Sequence, residues 1–277
     1  MRQRGLRNRC RDSKYSTISM KVNRHSSERS VVSTGLPWLS LTFCLLCPSF
    51  AKVAPVDEVR VLIVTGGHEF DEAGFLGMFR KMEGIVFTQA AYGKGAEEKL
   101  NPEGAKDFEA IVFYDMHQNK DRHWKGMLQL LEHGKGMVFL HHSLWSYDGS
   151  WDEYRRIVGG RASSKEKVVS GPSPTSTYKH EEHIRVHVVD PSDPVTKGLQ
   201  DFDIIDETYN HYWVDPKVHV LLTTDNPTSE HVIGWRHEYK KSRVVYFELG
   251  HGPTAYENPN YLVLVRRAIL WAAGKQL

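Results

Sequence analysis

Cysteine is scarce in this chain of 277 residues: there are three, Cys10, Cys44 and Cys47, and all of them precede residue 55. From Pro55 onward neither a thiol nucleophile nor a disulfide is available. Long apolar runs are missing too. "WLSLTFCLLC", Trp38 to Cys47, has ten residues, about half of the roughly 20 that a membrane helix needs. No dense basic patch is present, which argues against nucleic acid as a partner. The glycine turn "TGGH" is neither GxGxxG nor a Walker loop, so no nucleotide cofactor is expected.

The charge is unevenly placed. Ten basic and two acidic residues lie before Pro55, leaving 26 basic against 32 acidic after it, a formal net of −6. A basic segment with Lys21, Arg24 and Arg29 precedes the apolar run, and small-residue exits follow at Ala51 and Ala54. That layout predicts a signal peptide over residues 1–54, with Met20 as an alternative start, and an exported protein, periplasmic or extracellular, with no membrane span after cleavage. Residues 55–277 are then one domain.

What is abundant is alternation between short apolar strands and helical patterns. "VRVLIVTGG", "GIVFTQAAY", "FEAIVFYD" and "GMVFLHH" read as buried strands. Asp71–Glu83 and "DRHWKGMLQLLEHGKG" read as amphipathic helices between them. The second half is strand-rich, with the polar stretch "ASSKEKVVSGPSPTSTYKHEE" as a surface loop. A C-terminal helix begins near Asn258 or Asn260. The pattern predicts an α/β fold with a doubly wound, mostly parallel sheet and helices on both faces.

Such sheets bind ligands beyond the carboxyl ends of their strands. Those ends carry Gly66, Gly67 and His68; Asp115, Met116 and His117; His141 and His142; Glu207; and His251. One histidine ending a strand is most often a hydrogen-bonded structural residue, but here several would converge on one rim. Strand alternation predicts that His141 and His142 face opposite ways and that Glu207, Tyr209 and His211 share a side. The turn glycines Gly66 and Gly67 free backbone N–H groups that can receive an anion or a sugar hydroxyl. Aromatic residues such as Trp145, Tyr147 and Tyr212 suit sugar faces, or simply the core.

"GKGMVFLHHSLWSY", "DETYN" and "YFELGHGPTAYENPNYLVLVRRAILWAA" resemble the trehalose-utilisation (ThuA-like) family, from about Val59 to the C-terminus. The resemblance implies a flavodoxin-like α/β domain similar to class I glutamine amidotransferases. It also implies a small-molecule carbohydrate as partner, such as a 3-keto-glycoside. Where amidotransferases carry a nucleophilic cysteine, this chain has "LHHSL", which removes thioester chemistry. Ser143 is the nearby hydroxyl, without a G-x-S-x-G elbow.

The expected catalytic set is therefore His142, Glu207 and His251, either as acid and base or as ligands of a divalent metal, Zn or Mn. Gly66, Gly67, His68, His141 and Tyr209 are expected to bind substrate. A carbohydrate- or partner-binding module without catalysis is the alternative.

Overall fold

The computed structural model describes residues 58–276, apart from 119–122, 150, 166, 169–170 and 173–174. The leader, its processing and its cysteines lie outside the described residues.

In chain order the first half comprises β1 (Val59–Gly66), α1 (Glu72–Arg80), β2 (Ile85–Ala91), the short α2 (Ala96–Lys99), β3 (Ala110–Asp115), α3 (Trp124–Glu132) and β4 (Gly136–Leu140). A 3-10 segment, His141–Gly149, leads into α4 (Asp152–Val158). Three two-residue strands follow: β5 (Gly160–Arg161), β6 (Lys167–Val168) and β7 (Gly171–Pro172). The second half holds β8 (Thr177–Val188), β9 (Phe202–Asn210), β10 (Trp213–Val214), β11 (His219–Thr224), β12 (Val232–Tyr239) and β13 (Ser242–Phe247). The helices α5 (Pro253–Tyr256) and α6 (Pro259–Ala272) close the chain.

The local signals explain the helix ends. Asp71 caps α1 by accepting from the Gly74 N–H at 3.0 Å. Asn258 caps α6, accepting from Asn260 and Tyr261 with Pro259 in the first turn.

Nine strands form one mixed sheet in the order β2-β1-β3-β4-β13-β12-β11-β8-β9. The five strands from β2 to β13 pair in parallel, and β13 through β9 pair antiparallel. The sheet is thus less parallel than its apolar strands suggest, because β8, β9, β11 and β12 all pair antiparallel.

Alternation along the parallel strands divides the core. Val61, Ile63, Val112, Val138 and Val245 pack with α1 and α6, whereas Leu62, Val64, Phe113, Met137 and Phe139 pack with α3 and α4. Each such fully buried side chain contributes about 1.5–3 kcal/mol. The parallel register brings the carboxyl ends of β1, β3, β4 and β13 to one rim.

One stretch differs from its expected state. Thr177–Glu182, predicted as loop, begins β8, with a register shift between Lys179 and Glu182 and Glu181 at φ 56°. The residues are mostly exposed and polar, so no apolar period marks them as strand.

Candidate active site

At the end of β4 the backbone turns sharply, and His141 takes a φ of 51°. For a histidine this left-handed conformation is uncommon, and it costs on the order of 1–3 kcal/mol. The turn ends strand alternation at Leu140, so the facing rule does not apply to the two histidines that follow.

His141 is completely buried. Its Nδ1 lies 2.6 Å from the Glu248 carbonyl oxygen. A carbonyl can only accept, so Nδ1 carries the hydrogen and Nε2 is directed toward the site. Three groups crowd that one nitrogen: the Tyr209 hydroxyl at 2.8 Å, Glu207 Oε2 at 2.9 Å and His251 Nδ1 at 3.1 Å. His251 Nδ1 also approaches Glu207 Oε2, at 3.2 Å. The other Glu207 oxygen, Oε1, meets His180 Nδ1 at 3.0 Å.

The expectation that His142 would meet Glu207 and His251 is therefore corrected: His141 does so. The reason is the backbone turn at His141, which swings its ring into the cluster. His142 instead lines the neighbouring pocket, 4% exposed, and neither ring nitrogen has a hydrogen-bond partner among the described residues. Its ring lies 4.2 Å from that of Tyr114 and 4.8 Å from that of His68, centroid to centroid.

The pocket, about 220 Å³, is lined by His68, Met116, His142, Trp145, Tyr178, His180, Glu207 and Tyr209. Gly66 and Gly67 are not among its walls. They turn the chain after β1 so that His68 reaches it. Gly67 has φ 85°, and a Cβ there would stand 2.4 Å from the Met116 carbonyl oxygen. His117 stacks on Tyr92 with ring centroids 3.8 Å apart, and His211 sits in the turn after β9 at φ 59°. Ser143 is fully buried and donates to the Leu140 carbonyl at 2.8 Å, which ties down its hydroxyl.

His180 was not among the expected site residues. Only the register shift in β8 sets it over Glu207, and nothing in its polar surroundings marks it in the sequence. Asp206 was also unforeseen: it accepts the backbone N–H groups of Glu207, Gly250 and His251 at 2.9, 2.6 and 2.9 Å, holding the "LGHG" turn against β9.

The electrostatics follow from these contacts. Burial pushes the Glu207 carboxyl up, but the imidazoles of His141 and His251 beside it outweigh burial and hold the group well below the usual carboxylate range. The hydrogen bond that His251 donates to Glu207 raises His251. Burial drives His142 well below an ordinary imidazole, and the nearby His141 and His68 add to the effect. Beneath the cluster, burial lifts Glu248 to about 8. The geometry agrees. The Tyr212 hydroxyl faces two acceptors, the Val232 carbonyl at 2.5 Å and Glu248 Oε2 at 2.7 Å. Its single hydrogen serves one of them, and a protonated Glu248 supplies the other hydrogen.

A mixed α/β sheet with a histidine–glutamate cluster at its carboxyl rim defines the class. Residues 60–272 match the family described as trehalose utilisation, and the chain belongs to that family. Among solved structures it is similar to a ThuA-like protein of Parabacteroides merdae at 17% identity, covering 79% of this chain and 91% of that one, with a TM-score of 0.65. A ThuA-like protein of Bacteroides uniformis is 20% identical, with coverages of 82% and 96% and a TM-score of 0.62. A Salmonella typhimurium protein described as cytoplasmic is 13% identical, with coverages of 77% and 99% and a TM-score of 0.57. These likenesses show the fold. No curated protein matches the sequence.

Proposed function

We propose that this protein is an enzyme of carbohydrate breakdown acting on a small sugar or 3-keto-glycoside, by cleaving its glycosidic bond or shifting a proton beside its ketone. One observation carries the reading: Glu207, which holds His141 and His251 by its carboxylate, and His142, whose ring nitrogens have no hydrogen-bond partner among the described residues, line the same pocket. A buried imidazole with two unused nitrogens is costly unless a ligand engages it. The pocket volume of about 220 Å³ suits one sugar ring; sites for drug-sized ligands run from roughly 300 to 1,000 Å³. Trp145 and Tyr178 supply aromatic surface beside polar groups, which is how sugar rings are held.

In this reading His142 is the base and the cluster is the electrophilic pole. For a keto-sugar, His142 takes the proton from the carbon beside the carbonyl while the carbonyl oxygen accepts a hydrogen bond from the His251 imidazole of the cluster. Return of the proton to the neighbouring carbon completes the shift. For cleavage, a water molecule attacks the anomeric carbon and gives its proton to His142, while the His251 imidazole of the cluster protonates the leaving oxygen. We read the parallel part of the sheet as flavodoxin-like and class I glutamine amidotransferase-like. His141 then stands at the strained turn where those enzymes keep their nucleophile. Export directed by residues 1–54 belongs to the same proposal, and fractionation of producing cells tests it.

The catalytic test is turnover of a 3-keto-glucoside followed by NMR. Glu207→Gln and His142→Phe are each expected to remove activity with the circular dichroism spectrum unchanged. Wild-type rates in both variants would refute the assignment. Sugar affinity without turnover in the unaltered protein would point to a binding module instead.

A further inference from the structure

We infer that His141 Nε2, Glu207 Oε2 and His251 Nδ1 form a site for one divalent transition-metal ion, with Zn²⁺ best suited to the donor set. The three atoms are mutually 2.9, 3.1 and 3.2 Å apart. Hydrogen bonding alone accounts poorly for this triangle. With Nδ1–H committed to the Glu248 carbonyl at 2.6 Å, His141 Nε2 offers one in-plane lone pair. Yet Tyr209, Glu207 and His251 all converge on it within 3.1 Å. A central cation satisfies the nitrogen and the carboxylate at once.

The spacing is that of metal ligands. With metal–ligand bonds of about 2.0–2.1 Å, separations of 2.9–3.2 Å correspond to angles of roughly 90–103° at the ion. Three donors so arranged occupy one face of the coordination sphere. The positions opposite remain open, which is the mark of a catalytic rather than a structural site.

The supporting contacts are those that ligating residues need. The Glu248 carbonyl fixes the tautomer and ring plane of His141. Asp206 anchors the peptide nitrogens of Glu207 and His251, so two of the ligands move as a unit. His180 bonds the free oxygen of Glu207. The His251 side chain is 35% exposed, which leaves a path for an ion to enter.

Asp190, Asp193 and His219 also gather donors, but Asp193 is engaged by Arg236 at 2.6 Å and by the Val195 N–H. That group serves as an internal control. The inferred ion would be the electrophile in the function proposed above and in that sense rests on it, whereas metal binding is measured without any sugar.

The test uses the full chain, stripped with EDTA, dialysed and titrated with ZnCl₂ and then MnCl₂ by calorimetry, with bound metal counted by mass spectrometry. One Zn²⁺ per chain is expected at the site. Glu207→Gln and His251→Ala should each weaken that binding by at least tenfold to a hundredfold. His142→Phe and His219→Ala should leave it unchanged. Every variant keeps Cys10, Cys44 and Cys47, so any zinc held by thiols cancels in the comparison. Co²⁺ substitution adds a spectroscopic readout: visible bands expected in the unaltered protein should be lost in Glu207→Gln. Should that variant prove unstable by thermal melt, His251→Ala decides. The inference is overturned if the stripped protein binds neither ion, or if Glu207→Gln and His251→Ala bind as the unaltered protein does. Turnover by protein that binds no metal would overturn this inference and leave the proposed function standing.

Discussion

His141 and His142 are neighbours of one residue type, yet they serve different surroundings. The difference arises in the backbone. The left-handed φ of His141 carries its ring to Glu207, while His142 falls into the pocket wall without a hydrogen-bond partner among the described residues. This predicts opposite effects on stability and activity. His142→Phe keeps a packed ring and removes two buried unsatisfied nitrogens. It should match or exceed the parent's thermal stability while turnover drops by about 10²–10⁴, the usual contribution of a general base. Paired melting and rate measurements check it. A fall in stability of several kcal/mol would mean that His142 has a structural partner after all. His180 is half-exposed, so His180→Ala should alter stability by no more than about 0.5 kcal/mol by denaturant titration.

At the scale of elements, the turn between β13 and α5 depends on α6. Gly250 adopts φ 121°, and a Cβ there would lie 2.2 Å from the hydroxyl of Tyr261. That hydroxyl is buried and unpartnered among the described residues. Gly250→Ala should therefore destabilise by about 2–4 kcal/mol, from backbone strain and the clash together. Tyr261→Phe alone should be neutral or mildly stabilising. In the double variant the clash is eased and the strain remains, so about 1 kcal/mol of coupling is expected from a double-mutant cycle. Simple additivity would show that the turn does not lean on α6. The position of His251 rests on the same turn, which links helix packing to the site.

Over the whole molecule, buried carboxyls set the pH dependence of stability. Burial lifts Asp115 to about 7 from its ordinary 3.8. Between those limits the folded chain keeps a proton that the unfolded chain has released. Unfolding therefore gives up a proton, and stability falls as pH rises from about 4 to 7. Asp115→Asn removes that dependence. Its stability should vary less across the interval by on the order of 2–4 kcal/mol, measured by urea titration at pH 5, 6 and 7. An unchanged slope would show that Asp115 ionises freely in the folded state.

The sequence alone was enough for much of the architecture and for singling out two of the three residues of the candidate cluster. Apolar strands spaced by amphipathic helices predict an α/β sheet because periodicity is local. Asn258 marks the start of α6 for the same reason, and the chemistry of Glu207 and His251 could be singled out at their strand ends. Less was legible where contacts span the molecule. Four strands separate β4 from β9 in the sheet, yet Glu207 reaches His141 at 2.9 Å. The β8–β9 ribbon must curl over the rim to bring them together. That curl, the bulge that delivers His180 and the reversed backbone at His141 each depend on distant packing that no local pattern records. Residue types and strand ends were thus written in the chain, whereas which histidine meets the glutamate was decided by tertiary structure, because a single backbone turn outweighs strand alternation.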